Sequence, residues 1–221
     1  MNNRELVVKG IGKTSAAPDL IVLAMEVEAN EKDYEKTMRR AEDMLESLRA
    51  AITSAGHDSK KLKTASFNIN TKYESYNESN AWKQRFAGYT CSHSLRLEFD
   101  LDMPTLGTTL GAIAVCDAKP EFSIKFTVKD TNAVSERLLE SAIENARSKA
   151  VVLAKAAGVT LGAIQRIDYN WSDVHFHSKT EMMVCESTPY RAASAPAPMS
   201  LNIEPEEINV SDTATVVWEI S

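Results

Sequence analysis

Apolar and polar side chains alternate without a break from Tyr89 to Asp102. Tyr89, Cys91, His93, Leu95, Leu97, Phe99 and Leu101 take one parity, and Thr90, Ser92, Ser94, Arg96, Glu98, Asp100 and Asp102 the other. A period of two with one apolar face predicts an antiparallel strand wetted on one side, so helices are expected on only one face of its sheet. Leu20 to Val27 is apolar on both parities, which predicts a central strand covered on two sides. Leu6 to Ile11 predicts a short strand whose end is bracketed by Gly10 and Gly12. Ala65, Phe67, Ile69 and Tyr73 alternate with polar residues, and Asn77-Glu78-Ser79-Asn80 supplies turn chemistry, so this stretch and the Tyr89 strand form a hairpin with a long loop.

Two segments carry the helical period instead. Tyr34, Met38, Ala41, Leu45, Leu48, Ile52 and Ala55 recur at steps of four and three until Gly56, with Asn30 as the candidate N-cap. Such a narrow seam suits a helix lying on its own sheet, or, more sharply, one that receives a partner helix. Pro104 opens a short helix through Leu106, Leu110 and Ile113. After a strand through Phe122, Ile124, Phe126 and Val128, Asp130-Thr131-Asn132 offers caps for a long helix. Its inner face runs through Val134, Leu138, Ala142, Ile143, Ala146, Ala150, Leu153 and Ala157 to Gly158. The alanines make this face thin and permit close approach to a sheet or another helix. Ile167, Tyr169 and Trp171 predict the next strand, and Ala214, Val216, Trp218 and Ile220 the last.

Residues 120–169 loosely repeat residues 18–67 in register. Pro18 and Pro120 open strands, Gly56 and Gly158 close helices, and Phe67 and Tyr169 sit in the strands that follow. A repeat implies duplicated architecture. The expected fold is α+β, with two pseudo-repeated β-α-β units forming antiparallel sheets and long helices packed on one face. The expected organisation is one domain of two halves, about 1–102 and 103–221. Residues 174–207, with Ser187-Thr188-Pro189 and the Pro-Ala run from Ala192 to Pro198, read as a long irregular excursion, either a connector or an arm that adds to a sheet edge.

Composition refines this picture only modestly. The 221 residues are 43% hydrophobic and 25% charged, ordinary for a globular protein. A net charge of -6 and a pI near 5.3 argue against a nucleic-acid partner. Met1-Asn2-Asn3-Arg4-Glu5 runs directly into a strand, with no charged-then-apolar leader, and no apolar run approaches a membrane span. Cys91, Cys116 and Cys185 are too scattered for a disulfide framework. Together these features predict a cytoplasmic protein.

Candidate chemistry is sparse. His175-Phe176-His177, near Glu181, Cys185 and Glu186, could present two imidazoles to a transition metal, because alternate residues of a strand point the same way; incidental histidines in a polar loop are the blander alternative. His57 follows the C-terminal glycine of the first long helix, where a cation complements the helix dipole. His93 lies on an apolar face and reads as a buried neutral imidazole, with Cys91 as a small core residue too far along the strand to pair with it. No nucleophile elbow, phosphate loop or dinucleotide fingerprint is present, so neither a catalytic group nor a cofactor is implied. Tyr73, Tyr76, Trp82, Phe86 and Tyr89 gather around the hairpin tip with Lys72, Lys83 and Arg85, and Trp82, Tyr76 and Phe86 are candidate interaction residues. The blander alternative keeps Tyr73 and Tyr89 in the core and exposes Trp82 alone.

Val8-Lys9-Gly10-Ile11-Gly12, then Ala17-Pro18-Asp19 and an apolar strand, resembles the opening of the SIMPL domain. Gly88-Tyr89, the alanine-rich helix ending at Gly158, Leu161-Gly162 and a tail with Pro196, Pro198, Ile203 and Pro205 continue the resemblance over nearly the whole chain. Glu206 departs from it, standing where relatives commonly place glycine. The resemblance implies an α+β fold without established catalytic residues. Its bacterial members are mostly exported, some similar to an immunogenic antigen that assembles into large oligomers, and its name comes from a kinase-associated signalling protein. The expectation is a non-enzymatic, self-associating interaction protein. A ligand- or metal-binding protein using the 174–187 loop and an adaptor for a signalling partner are the alternatives.

Overall fold

The computed structural model describes residues 4–78, 81–169, 176–184 and 203–221. In chain order the elements are β1 (Glu5–Ala16), β2 (Leu20–Glu31), α1 (Tyr34–Ser54), β3 (Lys63–Glu78), β4 (Ala81–Asp100), α2 (Met103–Ala114), β5 (Glu121–Thr127), α3 (Thr131–Ala157), β6 (Leu161–Tyr169), β7 (His177–Val184) and β8 (Ile208–Ile220). The strands form a sheet of order β1-β8-β6 and a sheet of order β3-β4-β2-β5-β7. The fold is α+β with antiparallel sheets, as the alternating pattern predicts. Two compact units result, one built from β1, α3, β6 and β8, the other around β2 to β5 with α1 and α2.

In the smaller unit, Asp130 caps α3 by accepting from the Ala133 N–H at 2.9 Å, and Gly158 closes it in the left-handed region at φ 67°. The helix buries Val134, Leu138, Ala142, Ala146, Ala150 and Ala154. Beneath it lie Val8, Gly10 and Gly12, which are interior to β1 and do not end it, so the strand is longer than its glycines suggested. Each glycine admits the helix backbone itself. A β-carbon at Gly10 would collide with the Ala142 carbonyl, and one at Gly12 with the Leu138 carbonyl. At this separation α3 side chains reach round the edge of the strand. Asn145 Oδ1 accepts from the Ile11 N–H at 3.0 Å, Ser141 Oγ accepts from the Lys13 N–H at 3.2 Å, and Lys149 Nζ donates to the Lys9 carbonyl at 3.1 Å. Asp19 makes its own tie: its carboxylate accepts from the Lys129 N–H at 2.7 Å.

In the larger unit β2 is central, between β4 and β5, and buries residues of both parities, Ile21, Val22, Leu23, Met25 and Val27 among them. Asp33, not Asn30, caps α1; Asn30 belongs to β2. The buried face of α1 is Thr37, Ala41, Met44, Leu48 and Ile52. Of the expected seam only Ala41, Leu48 and Ile52 are fully buried, while Met38, Leu45 and Ala55 are half-buried and Tyr34 is exposed. This face packs in its own core with Leu95, Leu97 and Phe99 of β4 and with Leu106, Leu110 and Ile113 of α2. No partner helix is needed to fill it. Asp102 and Pro104 start α2 as an N-cap and first-turn proline.

The sequence repeat is not confirmed as a repeat of fold. The strands flanking α1, β2 and β3, lie in one sheet, whereas those flanking α3, β5 and β6, lie in different sheets. Within the stretch read as irregular, His177–Val184 forms β7. The Pro-Ala run and Trp171 lie outside the described residues.

Candidate interaction surface

The hairpin of β3 and β4 outgrows the helix layer. Helix α1 starts at Tyr34, and the strands continue beyond it to Glu78 and Ala81. The arm is rooted where β4 runs past the end of β2, at Glu31 opposite Tyr89. There Gly88 is buried at φ 141°, and a β-carbon on it would meet the Glu31 carbonyl of β2. The register places Lys72 opposite Gly88 and Tyr73 opposite Phe86, so Ala87 is the extra residue of a β-bulge.

Directly paired residues share a face. Ile69 pairs with Cys91, Thr71 with Tyr89, Tyr73 with Phe86 and Asn77 with Trp82, so the core face of the sheet continues along the arm as an aromatic face. Tyr34 and Tyr89 meet edge to face at 5.6 Å between centroids, Tyr89 and Phe86 at 5.3 Å, and Phe86 and Tyr73 at 6.0 Å. Trp82 stands further out, 75% exposed, with Tyr73 57% and Phe86 50% exposed. The opposite face is charged: Arg85 pairs with Glu74 at 3.3 Å and stacks over Tyr76 at 5.8 Å.

Of the three candidate residues, Trp82 and Phe86 therefore share the aromatic face and half-buried Tyr76 lies on the other. Tyr73 belongs to the exposed aromatic set, and Tyr89 is half-buried at its root. Periodicity alone pools both faces, because it does not reveal the bulge that fixes which residues pair. Beside the bulge, Asn30, Glu31, Lys32, Lys72, Glu74, Ala87 and Tyr89 line an open cleft of about 270 Å³.

The histidines separate by burial. His57 is not an exposed cation at a helix end; it is buried, its ring lies 4.7 Å from that of Phe99, and its Nε2 is 2.7 Å from Thr109 Oγ1. The Thr109 hydroxyl donates to the Thr105 carbonyl at 2.7 Å, which assigns Nε2–H as donor to Thr109 in a neutral imidazole. Burial, and secondarily the Lys61 charge, lowers its pKa. His93 is buried against Phe67, with Nε2 2.9 Å from Thr64 Oγ1, and its pKa is lowered by burial and then by Arg49. Burial raises the Cys91 thiol. In the other unit Tyr169 donates to the buried Asp212 at 2.7 Å.

His177 is half-buried at the start of β7, while His175, Cys185 and Glu186 lie outside the described residues. Among the described residues no group of three or more His, Cys, Asp or Glu could hold a metal. No described helix is long and apolar enough to cross a membrane.

A model of the SIMPL family, described as a protein of unknown function (DUF541), matches residues 6–218. The 26 kDa periplasmic immunogenic protein of Brucella melitensis is 26% identical over 163 residues, 73% of this chain and 65% of that protein. The protein of the same name in Brucella abortus matches at the same identity and coverage. Uncharacterized protein YggE of Edwardsiella ictaluri is 21% identical over 216 residues, 98% of this chain and 87% of its own length. The expectation of a cytoplasmic protein is overturned by the periplasmic description of the Brucella relatives. Cys91 and Cys116 are buried and unpaired, and shielded thiols do not report the redox state of a compartment.

Proposed function

The chain belongs to the SIMPL family, and from that premise we propose that it is a non-enzymatic, self-associating interaction protein of the periplasm whose contact surface is the β3–β4 arm. The carrying observation is the aromatic face. Tyr73, Trp82 and Phe86 stand exposed on one side of a two-stranded arm, where Trp and Tyr typically carry interface energy. The periplasmic setting follows the relatives' description.

The experiment is light scattering across a dilution series, for the wild-type chain and for Trp82→Ala. An assembly whose dissociation constant rises about thirtyfold on the substitution, with the fold intact, supports the reading; that corresponds to a hot-spot loss of about 2 kcal/mol. A monomer at every concentration overturns it.

A further inference from the structure

The sheet edges of this molecule are treated unequally. At β1 the outward groups of Lys9, Ile11 and Lys13 are occupied by Lys149, Asn145 and Ser141 of α3. β6 is short and broken by register shifts between Leu161 and Ile164 and between Ile164 and Arg166, irregularities that blunt an edge. β7 ends at Val184, next to residues that are not described. β3 is less protected: its own inserted residue, Ala65, lies near its start, and the bulge at Ala87 belongs to β4. From Ser66 to Glu78 β3 runs without proline, glycine or an inserted residue, while nothing among the described residues pairs with its outer side. An open edge of this kind is a template for another strand.

The side chains specify which strand. Lys72 and Glu74 flank Tyr73 on the charged face. When the same strand from another copy lies antiparallel about a two-fold axis through Tyr73, each Lys72 faces Glu74 of the second copy. Thr71 faces Ser75, and the aromatic faces of both arms stay on one side. A slip of one residue would turn the aromatic face over. A slip of two would set Lys72 against Lys72 or Glu74 against Glu74, and like charges directly opposite are unfavourable. The charge pattern thus selects one register and rejects its neighbours.

We propose that the outer edge of β3 pairs with β3 of a second copy of this chain, centred on Tyr73, to form a sheet continuous across an isologous interface. This deepens the self-association reading and rests on it. The test compares the native masses of wild type, Lys72→Glu, Glu74→Lys, the double exchange, and an equimolar mixture of the two single variants at low salt. Each single variant alone is expected to associate about tenfold more weakly or worse, since it sets like charges opposite. The double exchange and the mixture are expected to recover association, and the mixture does so without any change to the variants' own folding. If wild type associates but the single variants match it, or if neither the mixture nor the double exchange recovers, the edge pairing is overturned while self-association stands. A monomeric wild type overturns both.

Discussion

The two ends of this chain's sheet chemistry make opposite use of small and large side chains. Where α3 meets β1, Gly10, Gly12 and a row of alanines let a helix backbone lie on a strand, and three polar side chains then satisfy the strand's outer groups. Where β3 meets β4, Phe, Tyr and Trp stand on a strand pair that no helix covers beyond Tyr34. Minimal side chains bring an element close enough to close an edge, and large ones on an uncovered arm remain exposed to solvent.

Breaking the closed region should have the largest effect. Gly10→Ala puts a β-carbon onto the Ala142 carbonyl and near the Ala146 methyl, backbone and packed side chain that cannot easily move. A loss of about 3 kcal/mol is expected in urea unfolding, at the upper end of overpacking effects. A loss under about 0.5 kcal/mol would show that α3 can lift off β1 freely.

Acid should act on the other unit. Both His57 and His93 have pKa values lowered by burial, so the unfolded chain binds protons that the folded chain refuses. Their contribution to stability is complete above the ordinary imidazole value of about 6.5 and is lost as pH falls through it toward the folded values. Chemical denaturation between pH 8 and 5, about three units spanning that range, should show a flat limb and then a decline. His93→Gln should make the decline shallower, and an unchanged profile in that variant would remove His93 from the account.

Opening the sealed edge is a gentler change. Asn145→Ala removes the acceptor for the Ile11 N–H, and the loss should be about 1 kcal/mol, a typical single hydrogen bond. Exchange of the Ile11 amide with deuterium should quicken as well. Smallest of all is Trp82→Ala, whose effect on monomer stability should stay within about 0.5 kcal/mol because the side chain is exposed. A larger loss would mean that Trp82 is a structural residue of the arm.

Much of this was legible from local pattern. Alternation from Tyr89 to Leu101 located the core face of β4, and Asp130 with Gly158 bounded α3. The alanine row announced close packing, but which strand it packs on is not local information, so Gly10 and Gly12 read as a strand end when they are the floor beneath a helix. His57 differs from its local context for the same reason: its neighbours in sequence describe a helix terminus, and its neighbours in space, Thr109 and Phe99, come from elsewhere. On the arm, residue types marked the aromatic cluster, whereas its division into an aromatic and a charged face depends on the bulge at Ala87.

The most direct measurement is the native mass in solution at successive dilutions. Self-association through the arm predicts a defined multiple of the 24.4 kDa chain that dissociates on dilution, and at higher concentration when Trp82 is replaced. A chain that stays at 24.4 kDa at every concentration would contradict it.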